Sequence, residues 1–173
     1  MEKILKVGEP ISATYSHAAH TLSILAGEMD SKQWLMNCFI QLFGGGIDFL
    51  DYQDFGFMEC PIIHTQHIGL DMVDRGWNSR IDFIKDAILE NYYVYAELNI
   101  NKISAYGRTV PFAHDALIYG FDENTGEFLI ADFLASKRYE RKWIPESELR
   151  NSLYEGEGAF GKTGIFLMRY FFT

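Results

Sequence analysis

"PFAHDALIYGFDENTGEFLIADF", residues 111–133, decides how the chain is read. Apolar residues dominate both flanks of "DENTG", a cluster of turn formers, so the stretch predicts two antiparallel strands joined by a tight turn at Asn124 and Thr125. His114 opens the first strand and Asp132 closes the second. In the register such a turn sets, the two residues face each other as cross-strand neighbours, with Cβ atoms roughly 5 Å apart. A carboxylate beside an imidazole fixes its tautomer and stabilises the imidazolium, which is the orienting role in a nucleophile–His–Asp triad. The same spacing also fits a half-buried, capped histidine with no chemistry.

Around the hairpin the same period-two pattern recurs. "YYVYAELNI" (92–100) predicts a strand before it and "TGIFLMRYFF" (163–172) a strand near the end, with a short helix over Glu146–Leu153 between. The N-terminal half reads differently. "SHAAHTLSILAGE" (16–28) carries Ala18, Leu22, Leu25 and Ala26 at helical spacing and stops near Gly27. "SKQWLMNCFIQLF" (31–43) predicts a second helix, capped by Asp30 or Ser31 and ended by Gly44, Gly45 and Gly46. Residues 47–75 are irregular, with strand-like pieces around Phe55–Met58 and Pro61–His64. "NSRIDFIKDAILEN" predicts a third helix over Asn78–Glu90 that buries Ile81, Ile84, Ile88 and Leu89. Helices first and a mostly antiparallel sheet second make an α+β fold, in a single domain over residues 1–173.

Composition narrows the function classes. Hydrophobic residues are 48% of the chain, enough for a packed core. No apolar run reaches the ~18 residues that span a bilayer, and "MEKILKVGEP" lacks the apolar core of a signal peptide. These features point to the cytoplasm and to no membrane partner. The net charge of −9 disfavours nucleic acid and suits a cationic or neutral small-molecule or peptide substrate. The exception is "SKRYERK" (136–142), which reads as a solvated strand edge or as a docking patch for an acidic acyl or peptidyl carrier protein.

A nucleophile for His114 is available at the start of the first helix. Ser16 stands where exposed N–H groups and the helix dipole favour developing negative charge, and the backbone N–H of Ser16 or His17 is the candidate oxyanion donor. "FGGGID" follows a helix and lacks the Lys and Ser/Thr of a phosphate loop. It is read as a helix end whose Gly45 and Gly46 let the backbone approach a substrate.

On these residues the chain resembles the papain-like fold, in which an N-terminal helix carries the nucleophile and a later sheet carries His and then Asp. Within that fold it looks most like the double-glycine leader peptidases and the related N-terminal domain of the butirosin-pathway acyltransferase. Those families open the helix with Cys-x-x-Ala-x-Leu-x-x-Ile-Leu; "SHAAHTLSIL" matches at Ala19, Ile24 and Leu25 with Ser16 at the Cys position. Their second signature, a strand-opening His, Gly-Tyr/Phe-Asp at a turn and a later Asp, is matched by His114, Gly120-Phe121-Asp122 and Asp132. The resemblance covers most of residues 12–135. It implies acyl transfer or peptide cleavage through an acyl-enzyme, with catalytic Ser16, His114 and Asp132 and with neither cofactor nor metal. With no transporter or signal read in the sequence, it favours the stand-alone acyltransferases of natural-product (peptide or polyketide) pathways.

Two positions depart from the pattern. Ser16 replaces Cys, and Pro10 stands where the peptidases place a Gln. Ser16 is therefore a working nucleophile, the N-cap of a non-catalytic binding relative, or a cysteine exchanged for serine in this sequence. Other reactive residues read as structural. Cys38 sits among Met36, Phe39 and Ile40 as core filler. Cys60 is four residues from His64 without a third group. The pairs His17/His20 and His64/His67 have no carboxylate at metal-ligand spacing.

Overall fold

The computed structural model describes residues 1–13, 15–27, 42–44, 50–52, 60, 62–153 and 164–170. The second helix expected over 31–43, with Cys38, and the strand-like piece around Phe55–Met58 lie wholly or largely outside them. The described architecture is α+β, with a seven-stranded sheet whose ladders are all antiparallel and four helices.

In chain order the elements are β1 (Glu2–Ile4), α1 (Ser16–Gly27), β2 (Leu42–Gly44), β3 (Leu50–Tyr52), β4 (Ile63–Gly69) and α2 (Leu70–Gly76). They continue with α3 (Arg80–Leu89), β5 (Tyr93–Asn99), β6 (Ala113–Asp122), β7 (Glu127–Phe133), β8 (Tyr139–Pro145), α4 (Glu146–Ser152) and β9 (Gly164–Tyr170). The sheet order is β4-β9-β5-β6-β7-β8, and β1 pairs with the far end of β6. β2 and β3 form a separate ladder. Seven consecutive residues of β6, Asp115–Phe121, are buried. Successive side chains point to opposite faces, so both faces of the sheet are covered there.

The quoted hairpin forms as β6 and β7. Its turn is held by Asp122, whose carboxylate accepts from the Asn124 backbone and side-chain N–H groups, and by Gly126 at φ 68°. A register shift between Ile118 and Gly120 moves the pairing, so that Leu117 faces Ala131. His114 and Asp132 are therefore diagonal neighbours, not directly opposed as the turn alone implied.

Further differences concern single elements. Within the stretch expected to be irregular up to Arg75, the strand-like piece at Pro61–His64 extends into β4, and α2 follows it. β1, a three-residue strand, and β8 are both rich in charge, and β8 is an outer strand that exposes Glu140, Arg141 and Lys142 of the basic run. α3 starts at Ser79, whose hydroxyl accepts from the Asp82 N–H as an N-cap, and it buries Phe83 and Ala87 while Leu89 is 37% exposed. α1 is enclosed rather than amphipathic. Ala26 is exposed, and Ala19, Leu22, Ile24 and Leu25 are buried together with His20, Thr21 and Ser23. The buried hydroxyls are satisfied at the backbone, Thr21 donating to the His17 carbonyl and Ser23 to that of His20.

Candidate active site

α1 packs on β6 and β7 and brings its first turn to the end of the hairpin where His114 and Asp132 lie. Asp132 is wholly buried, and its carboxylate is held from three sides. The Tyr106 hydroxyl donates to Oδ2 at 2.5 Å, the Phe133 backbone N–H donates to Oδ1 at 2.7 Å, and His114 Nε2 stands 3.4 Å from Oδ1. Burial first, and then the charge of Asp132, push the Tyr106 phenol well above its ordinary pKa, so at neutral pH it is a donor.

His114 is half-buried, and burial alone would disfavour its charged form. The hydrogen bond and charge of Asp132, with the charge of Asp115, outweigh that cost and the opposing Arg108, and they raise the imidazole pKa above its ordinary value. With Nε2 turned to Asp132, Nδ1 is the nitrogen left for other partners. It lies 3.7 Å from Asp115 Oδ1.

Asp115 links the hairpin to α1. Its Oδ2 is 3.3 Å from Nε2 of His20, which is wholly buried; this is electrostatic contact, since the two atoms do not align as a hydrogen bond and neither has another hydrogen-bond partner. The other ring nitrogen of His20 meets the Tyr139 hydroxyl at 2.9 Å. Burial opposes the charge of Asp115, yet His20, His114 and a hydrogen bond from the Ser16 hydroxyl hold its carboxyl far below the usual carboxylate range. Asp115 also hydrogen-bonds the buried Tyr95.

Ser16 and His114 line one pocket of about 710 Å³, with Tyr15, Tyr106, Phe112 and Phe133 among the other walls. Ser16 opens α1 and is 8% exposed. Its hydroxyl is engaged by Asp115, and no hydrogen bond joins it to His114 among the described residues. His17 stacks its ring on Tyr15, with centroids 5.9 Å apart, and stands second in the helix, where backbone N–H groups precede the first intrahelical bond, Ala19 N–H to the Tyr15 carbonyl. Gly45 and Gly46 lie outside the described residues.

The alternative clusters do not assemble. His64 and His67 are three apart in β4 and therefore point to opposite faces, while His20 turns into the core away from exposed partners. Cys60 is buried in the core and does not line the pocket.

Asp115, His20, Tyr106 and Tyr139 were not singled out as site residues in the sequence. One signal was present: Ser16 and His20 are four apart, one turn along the same helix face. The tyrosines carried none, because their roles depend on which strand ends meet. Compared with protein-family models and with curated protein sequences, the chain matches none.

Proposed function

We propose that the chain is a papain-like, single-domain acyltransferase in which Ser16 is the nucleophile, His114 the base and Asp132 the group that orients it. One observation carries this reading: a buried carboxylate sits 3.4 Å from an imidazole that shares a pocket wall with a serine at a helix start. The packing of α1, which opens on Ser16, against the hairpin that carries His114 and Asp132 supports the reading.

In this reading the Ser16 hydroxyl leaves Asp115 for His114. Nδ1 takes its proton as Oγ attacks the carbonyl carbon of a thioester or amide, and backbone N–H groups at the first turn of α1 receive the developing oxyanion. Collapse breaks the bond to the leaving thiol or amine, which takes the proton back from His114. An acceptor amine then attacks the Ser16 ester while His114 removes its proton, and collapse returns the proton to Ser16 and releases the amide. Water in place of the amine gives a peptidase or amidase. A binding relative without chemistry is the second reading, and it is favoured by the engagement of Ser16 with Asp115 instead of His114.

Intact-mass spectrometry tests the proposal. The protein is mixed with a short acyl-pantetheine thioester and, separately, with a serine-reactive phosphonate, beside Ser16→Ala and His114→Ala. A single adduct lost in both variants is the expected result. No adduct on the parent selects the binding relative.

A further inference from the structure

The pocket wall has the opposite sign to the chain. The sequence carries a net charge of −9, yet among the described residues no Asp or Glu lines this pocket, whereas Arg108, Lys137 and His114 do. The two carboxylates of the site stand behind the wall, Asp132 at 0% and Asp115 at 8% exposure.

Several cations of this protein are already held by carboxylates. Arg75, Arg80, Lys85, Arg141 and Arg150 each pair with a carboxylate. Arg108 and Lys137 are exposed, and neither has a carboxylate partner among the described residues. Arg108 instead rests on Phe112, with its guanidinium carbon 4.5 Å from the ring centroid. Stacking of that kind occupies a face of the guanidinium and leaves its N–H edge for a planar acceptor.

The fold also seats the two cations on one rim. Arg108 follows Gly107, which turns the chain at φ 61° and has the Ala135 Cβ 3.3 Å from where its own Cβ would stand. Ala135 N–H donates to the Ala105 carbonyl at 3.2 Å, which ties the loop bearing Arg108 to the β7–β8 turn. In that turn Lys137 is held at φ 60° as its N–H donates to the Leu134 carbonyl at 2.9 Å.

We propose that this pocket selects a ligand with a fixed negative charge, a carboxylate or a phosphate, bound by Arg108 and Lys137 with its carbon body against Phe112 and Phe133. The inference names the charge class of the substrate and rests on the acyltransfer reading only for the fate of that ligand. On that reading the charge sits at the far end of the acyl chain or on the phosphate of a pantetheine arm.

Calorimetric titration of the Ser16→Ala protein, which binds without turnover, separates these sources. The probes are pentanoyl-pantetheine, glutaryl-pantetheine and pentanoyl-4′-phosphopantetheine. At least one charged probe is expected to bind about ten-fold more tightly than the neutral one, with an advantage that shrinks as salt is raised. Tighter glutaryl binding places the charge on the acyl chain, and tighter phosphate binding places it on the carrier arm. In the Arg108→Gln/Lys137→Gln double variant the advantage is expected to disappear, and in Arg108→Glu to invert. Both positions are exposed, so the variants fold, as near-ultraviolet circular dichroism checks. Equal binding of all three probes, no binding of either charged probe, or a charge preference that survives the double variant overturns the proposal. An anionic thioester that binds yet never acylates the parent protein sinks the acyltransfer reading and leaves this one standing.

Discussion

Replacing Asp132 by Asn removes the charge beside His114 while keeping the shape of the side chain and an oxygen to accept from Tyr106. At the observed 3.4 Å, two unit charges attract by about 1 kcal/mol in a water-like dielectric and about 5 kcal/mol at an effective dielectric of about 20. His114 is 27% exposed at a pocket wall, which weights the answer toward the lower end. At about 1.4 kcal/mol per pH unit, its titration midpoint is expected to fall by about one to two units. Asp115→Asn, at 3.7 Å, is expected to lower the midpoint as well. Two-dimensional NMR of the imidazole nitrogens, followed from pH 5 to 9, reads both shifts directly. Stability follows the same sign. The folded pKa of His114 lies above the ordinary 6.5, so its pairing stabilises the fold fully below that value and loses this contribution as pH rises through the folded pKa. The parent's advantage over Asp132→Asn in urea is therefore expected to be larger at pH 5.5 than at pH 8.5. An unchanged or raised midpoint in Asp132→Asn refutes the reasoning, because no other described group hydrogen-bonds the ring to raise its pKa.

Other outcomes follow from neighbouring contacts. His20→Ala deletes a wholly buried ring and leaves Asp115 without its imidazole, at a cost of about 3 kcal/mol; urea unfolding measures it, and an unchanged midpoint counts against the buried His20–Asp115 link. Gly8→Ala would bring a Cβ to 2.5 Å from the Ala26 carbonyl carbon and oxygen, so a loss of about 1–3 kcal/mol is expected in the same assay. Ser16→Cys places a thiol beside an imidazole whose charged form is favoured. Its alkylation by iodoacetamide is expected to be at least ten-fold faster than that of Ser16→Cys/His114→Ala at pH 7, and equal rates would mean that His114 does not serve position 16.

Much of the frame was legible locally. Apolar runs on both sides of "DENTG" mark β6 and β7, and the helical spacing of Ile81, Ile84 and Ile88 marks α3, because these signals need only near neighbours along the chain. The strands lost to sequence reading, β1 and β8, are carried by pairing with β6 and β7 and not by their own apolar pattern. Residues 63–69 became a strand through a full ladder with β9, nearly a hundred positions later. A buried α1 with four polar side chains likewise has no signature in its periodicity, since their partners are its own carbonyls, Tyr139 and Asp115.

His114 and Asp132 were readable as a pair from one hairpin, although the register shift after Ile118 made their contact diagonal. The sequence by itself determined the α+β class, the hairpin and the residue types that stand at its ends. Only the tertiary structure decided that Asp115 ties Ser16 and His20 to the hairpin, that Tyr106 holds Asp132, and that an acidic chain lines its pocket with Arg108 and Lys137, which have no carboxylate partner among the described residues. The first set depends on spacing along the chain, which is written in consecutive residues. The second depends on which strand ends and turns meet in space, and the packing of distant segments sets that.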